Sequence, residues 1–275
     1  MLAVTVIAGL SLLASQPFGE KLTADIVRRV READPAVSLG RFLDYTRNAP
    51  HDRFVANPRF WLKGVDFSCV SPWNSACGGQ RAGTAISKRH IVFAKHFPLW
   101  KDVRLVFADD AGGVCPCSIK ATKEVPHTDI MVGLLNAELT PNIKPAKILP
   151  SDAARYLGDG RGLPVVTFDR WENVHIAALG AVPTNSTDCL MRSFRPPEEL
   201  VGFSARATGG DSGNPAFLII DNEPVLLYCL YQGNFGAGHS LRFYQREIQK
   251  AMDELCPGYK LEEFDFEKLR RDDGK

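Results

Sequence analysis

The strongest chemical signal in the sequence is a glycine-rich turn around Ser212. The segment at 209–215 reads Gly-Gly-Asp-Ser-Gly-Asn-Pro and continues into an apolar run at 216–220. A serine hydroxyl is a weak nucleophile at neutral pH, so it needs a neighbouring base and donors directed at the oxyanion that forms on attack. Flanking glycines allow a tight turn that directs successive N–H groups at one point. The sequence therefore predicts Ser212 as a nucleophile, with the N–H groups of Gly210 and Ser212 as the oxyanion hole.

Two upstream residues supply the partners that such a serine needs. The same turn residues also form ordinary β-turns, so the motif alone leaves that interpretation open. His96 follows a strand, turn and second strand at 83–94, and an imidazole is the side chain best suited to act as a base near neutral pH. Asp129 precedes an apolar strand, where its carboxylate can orient an imidazole. His90 is the alternative base, but it lies in the turn between the two strands.

Together these segments resemble the trypsin/chymotrypsin family of serine proteases, in which the triad residues occur in the order His, Asp, Ser. The matching pieces are Gly-Thr-Ala-Ile-Ser at 83–87, Ala-Lys-His at 94–96, Thr-Asp-Ile at 128–130 and Gly-Asp-Ser-Gly-Asn-Pro at 210–215. The resemblance implies a serine endopeptidase that cleaves polypeptides through a triad of His96, Asp129 and Ser212 and an acyl-enzyme intermediate. It implies no metal and no organic cofactor.

The sequence departs from this family at four places, one of which is Phe97, where secreted animal members have a cysteine after the histidine. Lys95 precedes the predicted base where the family usually has a small residue. No Ile-Val-Gly-Gly activation site is present, so Asp211, beside the nucleophile, must be held by something other than a new N-terminus. The family serine that supports the catalytic carboxylate falls by count at Tyr231, which leaves the support of Asp129 open.

The resemblance also indicates residues that would contact the substrate. The residue six before the nucleophile, at the base of the family's primary pocket, is Arg206. A guanidinium pointing inward there would favour an acidic side chain before the cut bond. A loop shift of one residue would instead turn Arg206 to solvent, and both alternatives stay open. Tyr231 and Gly233 are expected to line an edge strand that pairs with the substrate backbone.

The elements that must position these residues are mainly short strands. From about residue 60, apolar runs rich in Val, Ile and Phe alternate with Gly, Pro and Asn, which is typical of an all-β sandwich or barrel. Combined with the resemblance, this predicts an all-β chain of two packed antiparallel β-barrels with an N-terminal helical extension and a C-terminal helix. The expected divisions are a signal peptide at 1–18, the helical extension at 19–55, the first barrel with the His and Asp at 56–150, the second barrel with the Ser loop and the helix at 151–256, and a charged tail at 257–275.

The N-terminus and the charges bear on location and partners. An uncharged apolar run at 1–14 is shorter than the ~20 residues of a membrane span and has the length of a signal-peptide core. Seven cysteines fit an oxidising compartment, although an odd count leaves at least one unpaired. We therefore expect a secreted or periplasmic protein with no stable membrane span. The net charge of +1 favours neither nucleic acid nor a membrane surface as partner, and the oligomeric state stays open.

Two other functions are compatible with parts of the pattern. A non-catalytic trypsin-like binding module would explain the unusual Lys95 and Tyr231, although such a module has no need for three triad residues. A serine esterase would use the same acyl chemistry, but its Gly-x-Ser-x-Gly elbow is broken here by Asn214. The protease is therefore the preferred hypothesis.

Overall fold

The structure is a computed structural model that describes residues 16–43, 54–71, 73–74, 82–183 and 189–272. Residues 1–15 of the predicted signal peptide lie outside these ranges. Within them, no helix combines the length and the apolar character needed to cross a bilayer.

The N-terminal extension is helical, and its apolar face packs on the core. Helix α1 spans Gln16–Arg31, and Leu22, Ile26 and Val30 are buried on one side of it, as their spacing predicts. A short helix α2 (Pro35–Ser38) follows, with Pro35 at a first-turn position where no donor is needed. Helices α1 and α2 are therefore a packed part of the fold, whereas residues 44–53 of the predicted extension lie outside the described ranges.

Six strands form the first sheet, which is curled, antiparallel and half-barrel in shape. Its strand order is β1-β4-β5-β6-β3-β2, so β3 and β6 lie side by side. Nearly all residues of both strands are buried, which explains their continuous apolar sequence. The strands are β1 (Trp73–Asn74), β2 (Thr84–Ala85), β3 (His90–Ala94), β4 (Arg104–Ala108), β5 (Val114–Glu124) and β6 (Ile130–Leu135).

Seven strands form the second curled sheet, in the order β13-β10-β9-β8-β11-β12-β7. The prediction is an antiparallel barrel, but the sheet is mixed. It is mixed because β7 runs parallel to β12. β7 precedes residue 150, the predicted boundary between the two barrels, and yet it pairs with a strand of the second sheet. The strands are β7 (Lys147–Ile148), β8 (Pro164–Phe168), β9 (Val174–Leu179), β10 (Leu190–Phe194), β11 (Pro215–Ile220), β12 (Glu223–Cys229) and β13 (Ala237–His239).

One apolar core joins the two sheets, and Phe67 lies at its centre. Its ring centroid is 5.1 Å from that of Phe168 on β8 and 5.7 Å from that of Phe217 on β11. Phe67 itself belongs to the segment that leads into the first sheet and is fully buried. The shared core therefore fixes the position of one sheet against the other, and with it any site built from both.

Helices complete the fold at its C-terminal end. The predicted C-terminal helix is α4 (Gln245–Leu255), which buries Ile248, Ala251 and Met252. Beyond it, the charged segment also packs on the rest of the fold, because Leu261, Phe264 and Phe266 are buried.

The other helices of the described residues are α3 (Ala154–Leu157), a 3₁₀ helix at Glu198–Phe203 and α5 (Phe266–Asp272).

Candidate active site

The pairing of β3 with β6 brings His96 and Asp129 together. Ala94 at the end of β3 is paired with Ile130 at the start of β6, so the residues just beyond each end meet. The N–H of Lys95 continues this ladder by donating to the carbonyl of Asp129 at 2.7 Å. Local strand pairing therefore sets the spacing between imidazole and carboxylate.

Three predicted residues form one hydrogen-bonded line. His96 Nδ1 lies 2.7 Å from Asp129 Oδ2, and His96 Nε2 lies 2.9 Å from Ser212 Oγ. The backbone N–H of His96 also donates to Asp129 Oδ1 at 2.9 Å, so both carboxylate oxygens are used. With Nδ1–H donating to the carboxylate, Nε2 is left as the acceptor for the serine hydroxyl. The line crosses from the first sheet to the second, since Ser212 precedes β11.

Along the hydrogen-bonded line, the solvent exposure of the side chains increases from Asp129 to His96. The side chain of Asp129 is 10% exposed, whereas that of His96 is 38% exposed. The ring of Tyr231 lies edge-on to the His96 imidazole, with 5.5 Å between ring centroids. The carboxylate is thus shielded from water, where its interaction with an imidazolium is stronger, while the imidazole and the hydroxyl remain reachable.

His239 contacts the backbone of Asp129, whereas the resemblance expects a serine that supports its carboxylate. The backbone N–H of Asp129 donates to His239 Nδ1 at 3.2 Å, which requires this nitrogen to carry no proton. Burial lowers the pKa of His239, more strongly than the nearby Asp129 carboxylate raises it. His239 is therefore neutral at pH 7, as the bond demands. His239 was not predicted from the sequence, because no motif surrounds it.

The loop at 209–215 carries Ser212, the predicted nucleophile, and is called the nucleophile loop below. It has the backbone that its glycines predict. Gly210 has φ +102° and Gly213 has φ +88°, a region that residues other than glycine rarely adopt. The Gly213 N–H donates to the carbonyl of Leu230 at 2.8 Å, which ties the loop to the strand beyond β12. Among the described residues, no acceptor is bound to the N–H groups of Gly210 and Ser212. Both predicted oxyanion donors are thus available to a ligand.

Asp211 is held by neighbouring main-chain and hydroxyl groups. Its carboxylate accepts from the N–H of Thr208 at 2.6 Å, the hydroxyl of Thr208 at 3.1 Å and the N–H of Arg170 at 3.0 Å. The residue is only 3% exposed. These donors take the place of a new N-terminus, so the loop is anchored in the uncleaved chain. Thr208 and Arg170 were not predicted from the sequence, since neither belongs to a motif.

The structure places the predicted substrate-contacting residues near the loop. Arg206 is exposed and borders a pocket that Asp211 and Leu230 also line. The Tyr231 N–H donates to the carbonyl of Ala237 at 2.8 Å, so its donor is used within the chain. Gly233 has φ +92° in the turn that precedes β13.

The alternative base, His90, lies apart from this line. It is fully buried at the start of β3, and its Nδ1 lies 2.9 Å from the hydroxyl of Ser87. Burial, helped by the neighbouring Arg89, lowers the pKa of His90 to about 4. His90 is a structural residue of the tight turn before β3.

A buried carboxyl group lies in the turn that carries Arg170. Glu172 is 3% exposed, and no partner for its Oε2 is found in the part of the chain that the structure describes. Burial raises the pKa of Glu172 to about 8, against the opposing effect of the Arg41 guanidinium, while Asp169 raises it further. Glu172 is therefore largely protonated in the folded protein at pH 7.

Glu172→Gln is expected to make stability less dependent on pH. Between the ordinary carboxyl pKa and about 8, the folded wild-type chain binds one proton more than the unfolded chain, so its stability falls as pH rises through this window. Glutamine cannot ionise, so the variant should lose less free energy of unfolding than wild type when the pH is raised from 5 to 8.5. The expected difference is about 1–3 kcal/mol. Melting temperatures from pH 5 to 9 measure this, with Glu198→Gln, an 87% exposed glutamate side chain, as control. Parallel curves for wild type and Glu172→Gln would contradict the assignment.

Within the described residues, no group of three or more His, Cys, Asp or Glu side chains could hold a metal, and no disulfide joins the described cysteines to one another. Cys77 lies outside these ranges.

The candidate site combines a hydroxyl, an imidazole, a carboxylate and two unbound N–H donors. Comparison with models of known protein families, and separately with curated proteins, finds no match for this chain.

Proposed function

We propose that this protein is a serine endopeptidase with a trypsin-like pair of β-barrels and a triad of Ser212, His96 and Asp129. The observation that carries the proposal is the unbroken line of hydrogen bonds from hydroxyl to imidazole to carboxylate, with distances of 2.9 and 2.7 Å. Its position across two curled sheets also supports the proposal, because the trypsin/chymotrypsin triad is divided between two barrels. A non-catalytic binding module has no physical need for this arrangement.

The geometry supports the following reaction. Ser212 Oγ attacks the peptide carbonyl as His96 Nε2 takes its proton, and Asp129 holds the imidazole tautomer and stabilises the imidazolium. The N–H groups of Gly210 and Ser212 donate to the oxyanion. His96 then protonates the leaving amine as the C–N bond breaks, leaving an ester on Ser212. Water, deprotonated by His96, attacks this ester, and His96 returns the proton to Ser212 Oγ as the Oγ–C bond breaks, which releases the carboxylic acid product.

The substrate is proposed to be a polypeptide chain lying between the two sheets. Arg206, which borders the pocket lined by Asp211 and Leu230, is the proposed determinant of a preference for acidic side chains. Secretion or export to the periplasm is proposed from the apolar N-terminal sequence at 1–14.

Labelling with a fluorophosphonate tests the proposal without knowledge of the substrate. Such a probe reacts with an activated serine, so one label per chain, mapped to Ser212 by mass spectrometry, is expected. His96→Ala should abolish the label, because the hydroxyl then has no base. The matched control is His127→Asn, which changes an exposed histidine close to Asp129 with φ +60°, a conformation that asparagine tolerates. No label on well-folded wild type would contradict the proposal and favour the binding module.

A further inference from the structure

Arg170 makes two separate contacts with the nucleophile loop. It lies in the turn between β8 and β9, outside every motif of the sequence. Its backbone N–H donates to Asp211 Oδ1 at 3.0 Å, and its guanidinium Nη1 donates to the carbonyl of Gly209 at 2.8 Å. The second contact acts on the peptide group whose N–H belongs to Gly210, one of the two proposed oxyanion donors.

A contact with the Gly209 carbonyl determines where the Gly210 N–H points. In a trans peptide the C=O and N–H bonds point in opposite directions. Holding the carbonyl toward Arg170 therefore turns the N–H of Gly210 away from it. Because Gly209 and Gly210 both lack a Cβ, their backbone opposes rotation of this peptide only weakly. An external contact is needed to select one orientation.

We propose that Arg170 is a positioning residue that holds the Gly209–Gly210 peptide so that the Gly210 N–H donates to the oxyanion. This inference rests on the proposed function of Ser212. Arg170 does not touch the reacting atoms, and it acts through the orientation of one donor. A glycine at 210 suits this contact, since a Cβ there would lie 3.1 Å from Arg170 Nη1.

The turn that carries Arg170 is itself held on two sides. The Asp169 carboxylate accepts from the N–H groups of Trp171 at 2.7 Å and Asn173 at 3.0 Å, which closes the turn. The Arg170 guanidinium lies over the Trp171 ring, 5.3 Å from its centroid, where a cation–π attraction limits its freedom. Asn173 also forms a backbone bridge with Gly40 of the N-terminal extension. Arg170 is thus held in place by residues that lie outside the nucleophile loop.

Arg170→Met tests the proposal, because it keeps the backbone N–H and the apolar stem and removes the guanidinium. The phosphonyl oxygen of a fluorophosphonate occupies the oxyanion position during attack, so the labelling rate of Ser212 reports on the donor. Loss of a whole oxyanion donor costs about 10²–10³-fold, and a donor oriented part of the time should cost less. We expect the rate constant to fall about 10- to 100-fold, with one label per chain still reached and the midpoint of the pH dependence unchanged.

Two further variants make the result specific. Arg170→Lys keeps a positive donor and should recover part of the lost rate. Arg161→Met changes a guanidinium that is largely exposed in the turn before β8, and its rate should stay within twofold of wild type.

The outcomes separate this inference from the proposed function. If wild type is labelled at Ser212 and Arg170→Met reacts within twofold of it, the positioning role is wrong and the proposed function stands. A slower variant that also loses label stoichiometry or shifts the pH midpoint would overturn the role as well, because Arg170 would then act through the fold. If Arg170→Met does not fold, an unchanged rate in Arg170→Lys overturns it, and about a tenfold loss supports it. Absence of label on wild type overturns both.

Discussion

Ser212→Ala is expected to lower the rate of peptide hydrolysis by about 10⁶-fold. The hydroxyl oxygen is the only protein atom in the proposed reaction that forms a bond to the substrate carbonyl carbon, and removing one member of a triad costs nearly as much as removing all three. The measurement is the rate of appearance of new peptide N-termini in a complex protein digest, followed by mass spectrometry. A digest of this kind contains most sequence contexts, so the specificity need not be known in advance.

The control for this variant is Ser151→Ala, which removes an exposed hydroxyl at the start of the second predicted division. Its rate should equal that of wild type. Ser212→Ala itself should remain folded, because the hydroxyl it loses makes one hydrogen bond at an open site. Turnover within tenfold of wild type in a folded Ser212→Ala protein would rule out Ser212 as the nucleophile.

Asp129→Asn should lower turnover by about 10⁴-fold while leaving the backbone of the site in place. An amide that donates to His96 Nδ1 would reverse the tautomer, so that Nε2 carries a proton and cannot accept one from Ser212. An amide also lacks the charge that stabilises an imidazolium. The same digest assay measures the loss, and the fluorophosphonate labelling rate should fall with it.

Asp102→Asn is the matched control for this change. Asp102 is an exposed aspartate in the turn before β4, with φ +68°, which asparagine tolerates. We expect wild-type rates from it. Loss of less than tenfold in Asp129→Asn would mean that His96 holds its tautomer without the carboxylate, and the triad assignment would then be wrong in its third member.

Local pattern was sufficient for the parts of the protein that depend on near neighbours in the chain. The period of Leu22, Ile26 and Val30 predicts α1, and the glycines around Ser212 predict the backbone of its loop. For the helix and the loop, a short stretch of chain carries the signal, because helical period and turn conformation are set within a few residues. Which of the distant residues meet is instead implied by the resemblance that the order of histidine, aspartate and serine carries.

Tertiary structure alone decided how the line of residues is supported. His239 meets Asp129 across 110 residues, and Arg170 meets Asp211 across 41, with no local pattern to mark either. The parallel addition of β7 to β12 is likewise invisible in the sequence, since a two-residue strand has no readable period. The types and order of the groups that are proposed to react were thus determined by the sequence itself. Their supports depend on how the two sheets pack around Phe67, because hydrogen bonds between distant segments exist only once the shared core has brought those segments together.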